Sequence, residues 1–293
     1  MRICSLLPSA TEIVAALGQA DRLVGVSEEC DWPPEVRGLP VVTASRISSG
    51  ELGSLEIDRA VREAVAGGRS LYAIDEELVD ALEPDLILTQ DLCEVCAVSS
   101  AEVGRLCSVD AEVVTLDPRT IGEIEDSVVR LAERLSVPER GAAVAADMRA
   151  KIDRVHAAVA GLPRRRIFVS EWLEPPFAAG HWVPEMVELA GGEEVLGRAG
   201  EASFSTVWDA VLAEEPELVV LAPCGFDAAR AAREARDALP PLPCRVVAVD
   251  ANAYFSRPAP RVADGVAQLG FLLHPEAVPD PGLPWIELVP APA

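Results

Sequence analysis

The chain has 293 residues, of which 50% are hydrophobic and 25% are charged. This length and composition predict packed cores in one or two domains and exclude a disordered chain. Forty-eight acidic residues against 25 basic residues give a net charge of −23. Such a surface disfavours nucleic acid as a partner, because affinity for phosphates depends on Lys and Arg. No stretch reaches the ~18 apolar residues of a membrane span, so we predict no membrane insertion.

The N-terminus predicts a cytoplasmic location. Residues 1–7 have the pattern of a buried strand and run directly into Pro8-Ser9-Ala10-Thr11-Glu12. This leaves no room for the basic, apolar and cleavage segments of a secretory leader. The seven cysteines are an odd number, which is more typical of a reducing compartment than of a disulfide framework.

The first part of the chain alternates short apolar runs with amphipathic segments. Ser9 and Glu12 have the spacing of a capping box and predict a helix that ends at Gly18. The other elements predicted here are strands at 2–7, 23–27, 86–89 and 112–116, and helices at 75–82 and from 121 onwards. Strands that alternate with helices predict parallel sheets covered on both faces.

A long helical pattern follows Pro138 and covers residues 139–160, which exceeds the mean helix length of about 11–12 residues. The alternation then restarts, with strands predicted at 166–170, 218–221 and 245–249, and helices at 184–190, 206–213, 228–239 and 261–273. From His274 the chain is rich in proline, and we predict an irregular tail that contacts the rest of the protein through Trp285.

These patterns predict an α/β protein with two doubly wound parallel-sheet lobes that are bridged by one long helix. The predicted parts are an N-terminal lobe, a bridging helix, a C-terminal lobe and a Pro-rich tail, at residues 1–137, 138–162, 163–273 and 274–293.

Matching phrases occur in the two halves of the chain. Residues 82–88 (LEPDLIL) and 213–220 (AEEPELVV) each join a helix end, an acidic-Pro turn and a buried strand. Four further phrases support the same comparison: LLPSATE at 6–12, LVGVS at 23–27, ELAGG at 188–192 and RPAPR at 257–261. In this order and spacing, the phrases resemble the iron-chelate and vitamin B12 periplasmic-binding family over roughly residues 1–273.

The resemblance implies a ligand cleft between the lobes, a corrinoid such as cobalamin or a related metal chelate as ligand, and an ABC transporter permease as partner. In B12-type members one acidic residue on each lobe docks against basic residues of the transporter. The matching positions are Glu77, seven residues before Pro84, and Asp209, seven residues before Pro216. Without a leader, a cytosolic carrier, sensor, storage protein or recruited enzyme remains an alternative.

Ligands of open α/β sheets bind beyond the carboxyl ends of the strands. The segments that follow the predicted strands hold four of the seven cysteines, one of the three histidines and three of the five tryptophans. Aromatic residues make up only 4% of the chain, so this position favours an apolar pocket for a bulky ligand. The candidate ligand-binding residues are Trp32, Trp172, His181, Trp182, Phe226 and Tyr254.

Cys93 and Cys96 have the spacing with which one turn presents two thiolates to a metal ion. Further ligands would come from Cys30, Cys224 or His181, and thiolates with imidazole suit zinc, copper or cobalt, or the metal of a bound chelate. Two alternatives remain open for the pair: buried cysteines that pack as hydrophobic residues, or a thioredoxin-type redox pair.

We therefore expect a binding protein rather than an enzyme, with aromatic contacts to a corrinoid and with His181 or a cysteine near its metal. The alternative from another class is a cytosolic metal- or thiol-dependent enzyme, or a metal sensor, that uses the same cysteines and His181. A third is a protein with a structural metal whose cleft binds a partner. No Ser-His-Asp triad, phosphate loop or dinucleotide fingerprint supports a more specific enzyme.

Overall fold

The computed structural model describes residues 1–47, 50, 52–92, 98–107 and 109–288. The predicted metal ligands Cys93 and Cys96 lie outside the described residues. The chain divides into two compact units. The first unit contains Met1–Pro118 and Asp126–Val144, and the second contains Arg119–Glu125 and Ala145–Ala293. Within the described ranges, no helix is both long enough and apolar enough to span a membrane.

The first unit is built around a sheet in the strand order β2-β1-β5-β6, in which all neighbours are parallel. A separate antiparallel pair joins β3 to β4. The strands are β1 Ile3–Ser5, β2 Leu23–Val26, β3 Thr43–Ser45, β4 Tyr72–Ile74, β5 Leu86–Thr89 and β6 Glu112–Thr115. The helices of this part of the chain are α1 Pro8–Ala16, α2 Ser54–Ala66, α3 Glu76–Leu82, α4 Ser100–Leu106, α5 Ile121–Arg134 and α6 Pro138–Val159.

Helix α1 does not begin with the predicted capping box, and that prediction is wrong. Pro8 stands in the first turn, Leu7 before it is extended, and no side chain among the described residues caps the helix. Ser9 and Glu12 are both buried within it. Proline has the fixed φ of the first helical position and lacks the N–H that a cap would satisfy, so it starts the helix by itself.

Helix α6 is the predicted long helix and has 22 residues. It crosses the boundary between the two units, which falls after Val144. Its apolar positions in the second unit, Met148, Ile152 and Val155, recur at helical spacing and are all buried.

The second unit contains a mixed sheet of seven described strands in the order β10-β8-β7-β11-β12-β13, with β9 also paired to β7. Its strands are β7 Arg165–Leu173, β8 Pro176–Ala178, β9 Gly192–Glu194, β10 Phe204–Ser205, β11 Leu218–Leu221, β12 Arg245–Val249 and β13 Trp285–Leu288. Its further helices are α7 Val183–Leu189, α8 Trp208–Ala213, α9 Ala228–Ala238, α10 Ala251–Tyr254 and α11 Val262–Leu273.

The C-terminal tail is not irregular as predicted, because it contributes the strand β13, antiparallel to β12. Pairing covers an edge of β12 that would otherwise leave backbone N–H and C=O groups without partners. The predicted contact through Trp285 is present, since its ring lies 6.1 Å from that of Phe271. Gln268 of α11 donates a hydrogen bond to the carbonyl of Pro284, at 3.0 Å, and so holds the start of the strand.

The predicted α/β class is confirmed. The first unit has a parallel sheet, and in the second unit β7, β11 and β12 form a parallel centre that antiparallel strands extend on both sides. These central strands are apolar and buried along most of their length, as expected for strands covered on two faces.

Candidate functional site

The carboxyl ends of β7, β11 and β12 lie side by side in the second unit, because the three strands are parallel neighbours in register. The segments that follow these strands are connected through the backbone. The N–H of Cys224 donates to the carbonyl of Glu171 at 3.1 Å, and the N–H of Asn252 donates to the carbonyl of Phe226, also at 3.1 Å. We call residues 171–172, 222–226 and 250–254 the strand-end surface.

Two of the predicted ligand-binding residues meet on this surface. The ring centroids of Trp172 and Phe226 are 5.3 Å apart, and the planes are tilted by 59°. The guanidinium of Arg230 lies over the Phe226 ring, 3.8 Å from its centroid. Phe226 is buried and Trp172 is half-buried, so the tryptophan carries most of the exposed aromatic area of the pair.

A second aromatic–arginine contact lies at the end of β12. The guanidinium of Arg261 lies 5.5 Å from the ring centroid of the half-buried Tyr254. Arg257 is buried and donates a hydrogen bond to Oδ1 of Asn252 at 2.9 Å. Burial raises the pKa of the Tyr254 hydroxyl, which therefore stays protonated at neutral pH.

The three arginines of this region, Arg230, Arg257 and Arg261, are functional candidates that sequence reasoning missed. Two of them, Arg257 and Arg261, belong to the RPAPR phrase that served only as part of the family resemblance. A signal was available in the sequence, because Arg230 follows Phe226 by four residues, and Arg257 and Arg261 follow Tyr254 by three and seven residues. A guanidinium over a ring gains cation–π energy and still presents donors to an anionic group.

His181 lies in a backbone turn of the second unit with a positive φ of 49°. The turn is held at both sides, since the N–H of His181 donates to the carbonyl of Glu201 at 2.6 Å and its carbonyl accepts from the N–H of Gly200 at 2.8 Å. Burial and the positive charge of Arg119 lower the pKa of the imidazole. The ring is therefore neutral at pH 7, which is the form that binds metals.

Gly180 and Trp182 fix the backbone on either side of His181. A Cβ on Gly180 would overlap the backbone nitrogen of Ser203, so no other residue fits without a shift. Trp182 has only 6% of its surface exposed, and its indole N–H donates to the carbonyl of Phe255 at 2.8 Å. Trp182 thus supports the turn from inside and has little area to offer to a ligand.

In the first unit, Trp32 is the exposed aromatic residue, with 45% of its surface accessible. Cys30 is buried, and its Sγ lies 3.1 Å from Oγ1 of Thr11 and 3.6 Å from Oγ of Ser27. Cys224 is exposed in the second unit.

These positions do not support a cysteine-rich site. The position of Cys30 after a strand predicted an accessible ligand. Its side chain is instead buried and contacts the hydroxyl groups of Thr11 and Ser27. Across the described ranges, no group of three or more His, Cys, Asp or Glu side chains is placed to hold a metal ion.

The two predicted docking residues are both on the surface. Glu77 is exposed in the first turn of α3, and Asp209 is exposed in the first turn of α8. Acidic side chains in first turns also interact favourably with the helix dipole.

Known proteins resemble the chain over most of its length. The vitamin B12-binding protein of Vibrio cholerae serotype O1 is 26% identical over 271 residues, which cover 92% of this chain and 87% of the relative. That of Pectobacterium atrosepticum is 26% identical over 276 residues, with 92% and 86% covered.

Solved structures share the fold. A periplasmic heme-binding protein from Pseudomonas aeruginosa aligns with a TM-score of 0.72 at 22% identity, over 99% of this chain and 95% of the other. The periplasmic vitamin B12-binding protein of Vibrio cholerae aligns with a TM-score of 0.66 at 24% identity, over 93% and 96%.

The prediction of a cytoplasmic location is contradicted, because the matching family is one of periplasmic binding proteins. That prediction rested on the N-terminal pattern and on the odd number of cysteines. The cysteine count carries no information about the compartment, because thiols such as Cys4 and Cys30 are buried and thereby protected from oxidants. Residues 3–237 match the family described as periplasmic binding protein. The chain belongs to the periplasmic binding protein family.

Proposed function

We propose that the protein binds cobalamin or a closely related corrinoid and presents it to an ABC transporter permease. Two features support the corrinoid: the similarity to vitamin B12-binding proteins extends over 92% of the chain, and the strand-end surface offers aromatic rings to a large planar ligand. Membership of a periplasmic family supports a role outside the cytoplasmic membrane, where such a protein meets its permease.

The observation that carries the proposal is the pairing of aromatic rings with guanidinium groups on the strand-end surface. Trp172 and Tyr254 supply half-buried faces for a corrin ring or its base. Arg230, which is also paired with Glu234 at 2.9 Å, and Arg261 lie against the neighbouring rings. Their positive charge suits the phosphate group of a cobalamin side chain. An apolar floor with a few polar groups is the usual composition of a site for a cofactor-sized ligand.

His181 is the residue that we assign to the metal of the chelate. Its imidazole is neutral at pH 7 and its backbone is fixed by the hydrogen bonds of the 180–182 turn. A neutral imidazole on a fixed backbone would supply a nitrogen donor to the cobalt or iron of such a chelate.

We assign Glu77 and Asp209 to the contact with the permease. Both are exposed, and an acidic surface attracts a partner with basic residues at its docking face. The enzyme alternative is not carried forward, since the relatives and solved structures reported above are named as binding proteins.

The proposal is tested by incubating the purified protein with cyanocobalamin, removing free ligand by desalting, and recording the visible absorption spectrum. We expect about one corrinoid per chain to be retained. A parallel incubation with hemin separates the two chelate classes, and retention of hemin alone would replace the corrinoid with heme as the ligand. Retention of neither chelate would refute the proposal.

Two tryptophan variants locate the site. Trp172→Ala removes the exposed face of the aromatic pair, and we expect the affinity for cyanocobalamin to fall about tenfold or more, since a buried aromatic contact of this kind contributes roughly 1–3 kcal/mol. Trp285→Phe is the matched control, because Trp285 packs against Phe271 and does not belong to the residues that form the strand-end surface. Equal affinities of the two variants would remove Trp172 from the site.

A further inference from the structure

Glu194, at the end of β9, is a half-buried acidic residue that the proposed function does not use. Its carboxylate accepts three backbone hydrogen bonds. Oε2 accepts from the N–H of Val169 at 3.0 Å, and Oε1 accepts from the N–H groups of Leu196 at 3.4 Å and Gly197 at 3.2 Å. One side chain thus connects the centre of β7 to the turn formed by residues 195–198.

That turn holds the backbone that precedes His181. The N–H of Arg198 donates to the carbonyl of Ala179 at 3.0 Å. The packing here is close, because a Cβ on Gly197 would lie 2.7 Å from the same carbonyl oxygen. A movement of the 195–198 turn is therefore transmitted to Ala179 and to the two residues after it.

A second carboxylate acts on the same segment from the strand-end surface. Oε1 of Glu171 accepts a hydrogen bond from the N–H of Gly180 at 3.1 Å. Glu171 stands next to Trp172 in the chain, so the aromatic pair and the His181 turn share this support. The negative charge of Glu171 also acts on Glu194 and opposes its ionisation.

Other charged groups near β9 are engaged elsewhere. Glu185 of α7 accepts from the N–H of Ile121 at 2.8 Å. Glu188 pairs with Arg164 at 3.5 Å, Glu193 pairs with Arg166 at 3.0 Å, and Arg198 pairs with Glu201 at 3.4 Å. Glu171 is the ionisable neighbour whose charge bears on Glu194.

We propose that Glu194 is a positioning residue for the 179–182 segment, and that the proton on its carboxyl group controls the affinity of the protein for its ligand. This inference rests on the proposed function, in which the same segment carries His181. When the carboxyl group is protonated, it stays between β7 and the 195–198 turn, which we call the seated state, because burying a neutral group carries only a small desolvation free energy. When it is ionised, the three backbone hydrogen bonds favour the seated carboxylate, but desolvation and repulsion by Glu171 outweigh them, so the group is released into water more readily and the turn loosens.

The direction of the pH effect follows from the two states of the carboxyl group. Burial, with a contribution from Glu171, raises its pKa from an ordinary value of 4.5 to about 7 in the seated state. A carboxyl group released to solvent returns to the ordinary value, so the seated state holds its proton more tightly. Seating, and with it the affinity for the ligand, therefore weakens as the pH rises from about 5 through 7.

The first test needs no ligand. Amide resonances of Val169, Gly197 and Gly180 are followed by NMR as the pH is raised from 5 to 8. We expect an inflection near pH 7 in the wild-type protein and none in Glu194→Gln. Glu171→Gln, which removes the repulsive charge, should move the wild-type inflection to lower pH. Amides that do not titrate in the wild-type protein would overturn the proposal, even if the Glu194→Gln variant did not fold.

The second test measures the affinity for cyanocobalamin at pH 6 and pH 8. We expect the wild-type affinity to fall by up to about tenfold over this interval, relative to Glu194→Gln. Glu193→Gln is the control, since Glu193 is exposed on the same strand and pairs with Arg166. The same pH dependence in wild type and Glu194→Gln would refute control by this proton. A protein that retains no chelate at any pH would refute the proposed function, while the amide titration would still decide whether Glu194 positions the segment.

Discussion

Protonation of Glu194 is coupled to the free energy of unfolding of the second unit. In the unfolded chain its carboxyl group has the ordinary pKa of 4.5, whereas in the folded protein burial raises the pKa to about 7. The folded state therefore binds the proton more tightly, and the stability that this proton contributes is fully present below pH 4.5 and is lost as the pH rises through 7.

We predict that Glu194→Gln removes this part of the pH dependence. Between pH 4.5 and 7 the wild-type free energy of unfolding should fall by up to about 3 kcal/mol more than that of the variant. Urea denaturation at a series of pH values measures the difference, with Glu193→Gln as the control. Parallel curves for wild type and Glu194→Gln would contradict the prediction.

At the same scale, sequence reasoning located residues better than it described their surroundings. It placed Trp172, Phe226 and Tyr254 at strand ends, because a parallel sheet puts all of these ends at one edge. It could not tell that Trp182 is buried or that Cys30 is enclosed by Thr11 and Ser27, because both depend on contacts between residues distant in sequence.

At the level of elements, the strands with continuous apolar runs were the predictable ones. The bounds predicted for β5, β11 and β12 are those found, since a buried strand flanked by proline or charged residues is unambiguous. The short strands β8, β9 and β10 were missed. Each has two or three residues and depends on pairing with a distant segment, so no local pattern marks it.

The C-terminal strand is the element whose contribution is easiest to test. We predict that Trp285→Ala lowers the free energy of unfolding by about 1–2 kcal/mol, because it removes the contact with Phe271 and the ring beneath Arg245. Hydrogen exchange should quicken at the β12 amides that pair with β13. Glu287→Gln is the control on the same strand, since its exposed ion pair with Arg245 contributes at most about 1 kcal/mol. Unchanged exchange in Trp285→Ala would show that the tail is held by other contacts.

For the whole molecule, the net charge of −23 makes any basic partner attractive at long range. Specific docking then requires particular carboxylates rather than the total charge. Glu77 and Asp209 are the two positions that the family resemblance indicates, and each is exposed in the first turn of a helix, one in each unit.

We predict that Glu77→Lys and Asp209→Lys each weaken association with the cognate permease in detergent or vesicles, most strongly at low salt, without changing the affinity for cyanocobalamin. Glu133→Lys, at an exposed position of α5, makes the same change in total charge and serves as the control. An equal effect of all three variants would mean that only the overall charge matters.

The thiols differ in burial, which allows one cysteine to be labelled selectively. Burial raises the pKa of Cys4 to about 12 and also raises the pKa of Cys107 and Cys244, so these thiols are poor nucleophiles at neutral pH. Cys224, in contrast, is exposed two residues before Phe226. Among the cysteines within the described ranges, it is the one that a maleimide dye would modify. A fluorophore attached to Cys224 would lie beside the aromatic pair. Its fluorescence would be quenched when a chelate binds, so the labelled protein would report binding optically.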